Sequence, residues 1–176
     1  CRKEVVKMKV GRVLSRENWD VLCEFIRWSN TLKCIEFEHI GGDARTTYEY
    51  LSSLFDMKQH FDCPLESIKF SLLDNWRNEI LRRRHLGIVM DFLRTRPNTL
   101  WTLDLAETKV GDGCVRVIVD AMNAGVRIGV LKLPGESISD DEAESLLNAN
   151  NSKHLQKLDF YGNKMSIRGI QTFATF

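Results

Sequence analysis

The feature that most constrains this chain is a short apolar pattern that recurs along its whole length. Segments 100–105 and 155–160 both read apolar-x-x-apolar-x-apolar. The same template fits six segments, which begin at Val5, Leu32, Leu65, Leu100, Ile128 and Leu155. Successive starts are 27, 33, 35, 28 and 27 residues apart. Self-similarity at such a period is typical of a repeat array, and a single unrepeated core would not produce it.

Each unit continues from its apolar segment through turn residues into a helical period. After Leu105, Gly111 and Gly113 mark a turn, and apolar residues at helical spacing follow in 115–122. A strand that is followed by a helix in every crossover has to pair in parallel with the next strand. We therefore predict an α/β solenoid of about six strand–helix repeats, with a curved parallel sheet inside and the helices outside. The prediction treats residues 1–176 as a single domain.

The residue between the second and third apolar positions of each unit predicts how the strands align. These residues face solvent in the predicted strands, and they are Lys9, Glu36, Lys69, Asp104, Lys132 and Asp159. Their charges alternate in sign without exception. If the strands pair in this register, each pair of opposite charges contributes about 0.2–1 kcal/mol. We therefore predict this register, because a slip of one residue would turn every side chain to the other face.

The sixth unit carries the fullest form of a known pattern. It reads apolar-x-x-apolar-x-apolar-x-x-Asn-x-apolar, with Leu155, Leu158, Phe160, Asn163 and Met165. This resembles the ribonuclease-inhibitor-like class of leucine-rich repeats, whose units run to about 28 residues. The fourth unit departs from that class because it has Thr108 where Asn or Cys is preferred. The resemblance implies a short horseshoe that grips proteins on its concave sheet face, with the helices on the convex face.

Two groups of residues are candidates for binding a partner. The first lies on the predicted concave face and consists of Lys7, Lys9, Glu36, Lys69, Trp101, Asp104, Lys132, Lys157, Asp159 and Tyr161. Large aromatics among charged side chains are typical of interaction hot spots, which favours Trp101 and Tyr161. Two alternatives stand beside this interpretation. Trp101 could lean into the core, and charges that pair with each other would leave less for a partner.

The second group lies in an arginine-rich insertion that lengthens the third unit. It consists of Trp76, Arg77, Arg82, Arg83 and Arg84. Arginine forks bind phosphate and carboxylate groups, so this insertion could hold a phosphate or an acidic peptide. The alternative is a helix face that presents arginines to water.

Composition and motifs narrow the classes of function. There are 25 basic and 24 acidic side chains, and this balance argues against nucleic acid as the main partner. No apolar run approaches the roughly 20 residues that a membrane helix needs. The five scattered cysteines indicate reduced thiols and an intracellular, cytoplasmic protein. No zinc-ligand spacing and no catalytic motif is present, so we expect no metal, no cofactor and no enzymatic activity.

These observations predict a protein-interaction module or scaffold. Alternatives are a regulator of small GTPases, a role that some relatives of the resembled family have, and a phosphate or acidic-ligand binder acting through residues 77–84. The sequence displays no polar capping repeat at either end. Uncapped solenoid edges expose apolar surface, so we expect the chain to be part of a larger protein, to self-associate end to end, or to be covered by a partner.

Overall fold

The computed structural model describes residues 6–11, 15–38, 44–56, 58, 61–71, 81–108, 113–133, 138–163 and 165–174. In these residues the strands are β1 (Val6–Gly11), β2 (Leu32–Glu38), β3 (Ser67–Ser71), β4 (Leu100–Glu107), β5 (Arg127–Lys132) and β6 (Lys157–Asp159). The helices that alternate with them are α1 (Arg16–Trp28), α2 (Ala44–Leu54), α3 (Arg83–Arg94), α4 (Cys114–Asn123), α5 (Asp140–Leu147) and α6 (Ile167–Ala174). A short 3-10 helix, Ser152–His154, precedes β6.

The described strands form one parallel sheet in the order β1-β2-β3-β4-β5-β6. Each strand lies beside the one before it, so right-handed crossovers place every helix on the same face of the sheet. No helix of the described residues lies over the other face, which we call the open face. The prediction of parallel strands that alternate with helices in an α/β fold is confirmed, and the arrangement is compatible with a repeat solenoid.

The predicted register is also confirmed. Lys9 lies opposite Glu36, Glu36 opposite Lys69, and the pairing continues through Asp104 and Lys132 to Asp159. The six residues Lys9, Glu36, Lys69, Asp104, Lys132 and Asp159 therefore form a single line across the open face, which we call the charged row.

The core lies between the sheet and the helices. The second and third apolar positions of the four inner units are buried, for example Ile35 and Phe37 in β2. In the first and last units, Met8, Leu158 and Phe160 are only partly buried. The buried strand residues meet buried helix residues such as Ile26, Leu51 and Val89. Each such side chain contributes about 1.5–3 kcal/mol when it leaves water, and one continuous cluster joins the units. Stacking of neighbouring units is what closes this core.

One position in the repeat ties a unit to the unit before it. Thr108 and Asn163 both stand three residues after the third apolar position. The Thr108 hydroxyl donates to the carbonyl of Phe70 at 2.8 Å, and Asn163 Nδ2 lies 3.4 Å from the carbonyl of Leu133. Phe70 and Leu133 are the third apolar residues of the preceding units. Thr108 therefore makes the same connection as the asparagine that it replaces in the pattern.

The fourth unit differs from the prediction by one residue. The pairing shifts between Trp101 and Thr102, so that Trp101 lies opposite Ile128 and is only 1% exposed. Leu100 is instead 38% exposed and lies over Gly129, where a Cβ atom would stand 2.8 Å from Leu100 Cγ. Trp101 thus takes the first apolar position and packs at the edge of the Phe92 ring. The prediction that Trp101 lies on the exposed sheet face is wrong, and the core alternative is correct.

Among the described residues, no helix is both long enough and apolar enough to span a bilayer.

Candidate functional site

The centre of the open face is occupied by a buried carboxylate. Glu36 in β2 is 2% exposed, although its position faces away from the helices. Lys69 Nζ lies 3.1 Å from Glu36 Oε1, and the Ser71 hydroxyl donates to the same oxygen at 3.0 Å. Lys7 forms an ion pair with the second carboxylate oxygen, and Lys9 Nζ lies 3.9 Å from the first. Three lysine side chains therefore close over one carboxylate.

These contacts set the protonation state of Glu36. Burial by itself raises the pKa of the carboxyl group, but hydrogen bonds from Lys7, Lys69 and Ser71 outweigh burial and lower the pKa to about 2. Glu36 is therefore ionised at neutral pH, and its negative charge is already paired with lysine side chains of the same chain.

Asp104, in the other half of the charged row, is also buried and paired with a lysine side chain. Asp104 is 8% exposed, and its Oδ2 accepts a hydrogen bond from Lys132 Nζ at 2.6 Å. Asp104 Oδ1 accepts from the amide of Ala106 at 3.1 Å. Glu36 and Asp104 were predicted to face solvent, and that expectation is wrong, because lysine side chains fold over both carboxylates. Their part in binding a partner stays a prediction. The paired-charge alternative describes this part of the open face.

The lysines that cover these carboxylates remain partly accessible. The side chains of Lys7 and Lys9 are 49% and 55% exposed, whereas those of Lys69 and Lys132 are half-buried. Lys9 Nζ also lies 2.5 Å from Glu38 Oε1, and that hydrogen bond raises the pKa of Lys9. A partner that approaches the open face would meet ammonium groups that already have a carboxylate beside them.

The last strand and the turn that follows it differ from the inner strands. Tyr161, just after β6, is 90% exposed, as the sequence predicted. Lys157 is exposed, and within the part of the chain that the structure describes it forms no ion pair. Asp159 Oδ1 accepts from the Tyr161 amide at 3.0 Å, which fixes the turn after β6. An aromatic ring, an available cation and an acidic group therefore lie close together in the sequence at this end.

The arginine-rich group is placed only in part. Trp76 and Arg77 lie outside the described residues. Arg82, Arg83 and Arg84 are exposed at the start of α3, so they belong to a helix terminus. Arg82 occupies the N-cap position, where its side chain has no acceptor to offer. The Nδ1 atom of the buried His85 accepts from the Arg82 amide instead, at 3.1 Å.

Helix packing joins these arginines to the neighbouring helices. The guanidinium of Arg84 lies 5.3 Å from the ring centroid of Tyr48 in α2. On the other side, Arg83 Cδ is 3.5 Å from the point where a Cβ on Gly113 would lie, and Gly113 is the N-cap of α4. The amino-terminal halves of α2, α3 and α4 therefore lie side by side as one surface strip. We call its arginines the arginine rim, namely Arg45, Arg82, Arg83, Arg84 and Arg116.

Arg45 and Arg116 were missed by the sequence analysis. Each stands near the start of a helix, which a sequence can indicate. That these helix starts lie beside α3 is information that only the packing provides.

No group of His, Cys, Asp and Glu in the described ranges could hold a metal ion. Burial raises the pKa of Cys23 and of Cys63 to about 11, so both stay protonated and are poor nucleophiles.

Neither a family model nor a curated protein matches the sequence.

Proposed function

We propose that this chain is a leucine-rich-repeat module that binds a protein partner through its open face. Three features support the repeat class: the sequential parallel strands, the aligned charged row, and the shared connection made by Thr108 and Asn163. An open sheet face with helices behind it is a rigid platform, and solenoids commonly use such extended surfaces for binding.

The observation that carries the binding proposal is the exposure of Tyr161. A tyrosine that is 90% exposed leaves a large apolar ring in water while its hydroxyl can still form a hydrogen bond. Tyrosine is enriched among the interface residues that dominate binding energy. The inner strands of the open face offer a partner less binding energy, because the charges of Glu36 and Asp104 are already paired. We therefore place the main contact at Tyr161 and Lys157.

A capture experiment with matched variants tests this proposal. The immobilised chain, its Tyr161→Ala variant and its Phe25→Ala variant are incubated with lysate of the source cells, and retained proteins are quantified by mass spectrometry. Phe25 is a suitable control because it is an aromatic on α1 that is 58% exposed. A hot-spot loss of at least about 2 kcal/mol corresponds to a roughly 30-fold drop in affinity for the Tyr161 variant. Phe25→Ala should retain the same proteins.

Two results would count against the proposal. One is a set of proteins that is retained equally by Tyr161→Ala and by the unchanged chain. The other is a set that is lost only in Phe25→Ala, which would move the contact from the open face to α1.

A further inference from the structure

The arginine rim contains cations that the fold does not neutralise. Other exposed arginines on the helices have a nearby carboxylate: Arg16 pairs with Asp20, Arg94 with Asp91, and Arg168 with Asp141 and Glu144. Within the rim itself, Arg45 pairs with Glu49 at 3.0 Å. Arg82, Arg83 and Arg116 are also exposed, yet among the described residues no carboxylate forms an ion pair with them. These three arginines are therefore the available cations of the rim.

The helix termini beneath these arginines add to the positive potential. The first turns of α3 and α4 contain no acidic residue, whereas the first turn of α5 contains Asp140, Asp141 and Glu142. The amino end of a helix carries a partial positive charge, so a cation there is unfavourable and an anion is favourable. Arg82 and Arg83 stand at that end of α3. An anion bound at the rim would meet the arginines and the helix amides together.

The size of the rim limits the ligand that fits it. The contact of Arg84 with Tyr48 and the contact of Arg83 with Gly113 make the strip continuous from α2 to α4. Packed helices lie about 8–10 Å apart, so three neighbours span roughly 20 Å. An extended peptide advances about 3.3 Å per residue, so about six residues would cross the strip.

We propose that the arginine rim binds a short, extended acidic segment of a partner protein. This inference rests on the proposed function, since it assigns a second contact to the same protein partner. Guanidinium groups recognise carboxylates through paired, parallel hydrogen bonds, which suits a row of Asp or Glu side chains. The net charge of +1 gives the molecule no broad positive field, so a local acidic segment fits better than a nucleic acid.

A direct binding experiment tests the rim without a known partner. The probe is a fluorescent peptide of eight glutamates, and its binding is followed by fluorescence anisotropy. The test variant carries Arg82→Glu and Arg83→Glu. The control carries Lys58→Glu and Lys153→Glu, which make the same change in charge at two exposed lysines that follow the ends of α2 and α5. The single variant Arg116→Glu tests whether the site extends to α4.

The proposal predicts a specific pattern across these variants. The Arg82/Arg83 variant should bind at least about tenfold more weakly, and the lysine control should bind within about twofold of the unchanged chain. Affinity should fall as the salt concentration rises from about 0.05 to 0.3 M. Arg116→Glu should weaken binding by a smaller factor. Tyr161→Ala should leave it unchanged, which separates this test from the test of the open face.

Several results would overturn the proposal. One is equal weakening in the lysine control, and another is equal affinity for an eight-residue glutamine peptide. A third is an eight-nucleotide single-stranded RNA that binds more tightly than the glutamate peptide through the same arginines, which would assign the rim to nucleic acid. Thermal melting checks the fold, and the Arg82/Arg83 variant should melt no lower than the unchanged chain. If it does melt lower, Arg82→Gln with Arg83→Gln must show the same loss of binding.

Discussion

The charged row on the sheet and the arginine rim at the helix starts use charge in opposite ways. In the charged row, Lys69 and Lys132 stand next to Glu36 and Asp104, and each pair lies within hydrogen-bonding distance. In the rim, three adjacent arginines begin α3 with no acidic residue in its first turn. The charges of Glu36 and Asp104 are paired within the fold, whereas Arg82, Arg83 and Arg116 of the rim form no ion pair among the described residues and can contact solvent or a ligand.

This difference indicates where binding energy is available. A partner at Glu36 would have to replace lysine contacts that the carboxylate already makes, so the net gain would be small. A partner at the rim would remove repulsion among like charges as well as form new pairs. Charge that stabilises the fold and charge that serves recognition should therefore respond differently to substitution.

The largest effect is expected for Glu36→Gln. This change leaves three lysines around a neutral side chain and should lower the free energy of unfolding by about 3 kcal/mol, as when one partner of a buried ion pair is removed. Urea unfolding measures this value. The control is Glu66→Gln, because Glu66 forms a pair with Lys33 at 2.6 Å but its side chain is 50% exposed. That control should cost at most about 1 kcal/mol, and equal costs for both variants would contradict the buried-pair description.

The free energy of unfolding should depend on pH through the ionisation of Glu36. Glu36 has a pKa of about 2 in the folded chain against an ordinary 4.5. A depressed folded pKa stabilises the fold above pH 4.5, and this contribution disappears as the pH falls through 4.5 towards 2. Because the Lys7 side chain is half exposed, we expect a loss of about 2 kcal/mol.

The measurement is urea unfolding of the unchanged chain and of Glu36→Gln at several pH values from neutral down to the acid limit. The difference between the two proteins should shrink on acidification. A difference that stays constant with pH would mean that the ionisation of Glu36 does not stabilise the fold.

A smaller effect is expected for the second pair of the row. Asp104→Asn removes the charge that Lys132 contacts at 2.6 Å, although the amide oxygen can still accept from Ala106. The Lys132 side chain is 30% exposed and can turn to water, so the cost should be about 1 kcal/mol. A double-mutant cycle with Lys132→Gln isolates the pair. A coupling energy near zero would show that this part of the row is aligned but not stabilising.

The repeat and its register could be predicted because they depend on period alone. Apolar positions recur with the strand, and the charged row lies between them, so pairing follows directly. The first position of the fourth unit could not be predicted in this way. The shift after Trp101 depends on the space above Gly129 in the neighbouring strand, which Leu100 fills. The sequence of the fourth unit alone does not indicate that Gly129 lies beside it.

The positions of the candidate residues in the register could be predicted, but the exposure of only some of them. Tyr161 was expected to be exposed and is exposed. Glu36 was placed at the correct register position, but its burial depends on how far lysine side chains reach across from adjacent strands. The full arginine rim could not be predicted from the sequence, because Arg45 and Arg116 lie on the same surface strip as Arg83 only through the packing of α2, α3 and α4.

The smallest effect should have the opposite sign. Arg83→Glu places an acidic residue at the first position of α3, where it favours the helix dipole, so the free energy of unfolding should rise by about 0.5 kcal/mol. The control is Arg94→Glu at the last position of the same helix, which loses the pair with Asp91 at 2.5 Å and should lower stability by a similar amount. Urea unfolding at low and high salt should show both effects shrinking as salt is added. If Arg83→Glu instead destabilises the chain, then Arg83 already contributes to folding, and the rim would resemble the charged row.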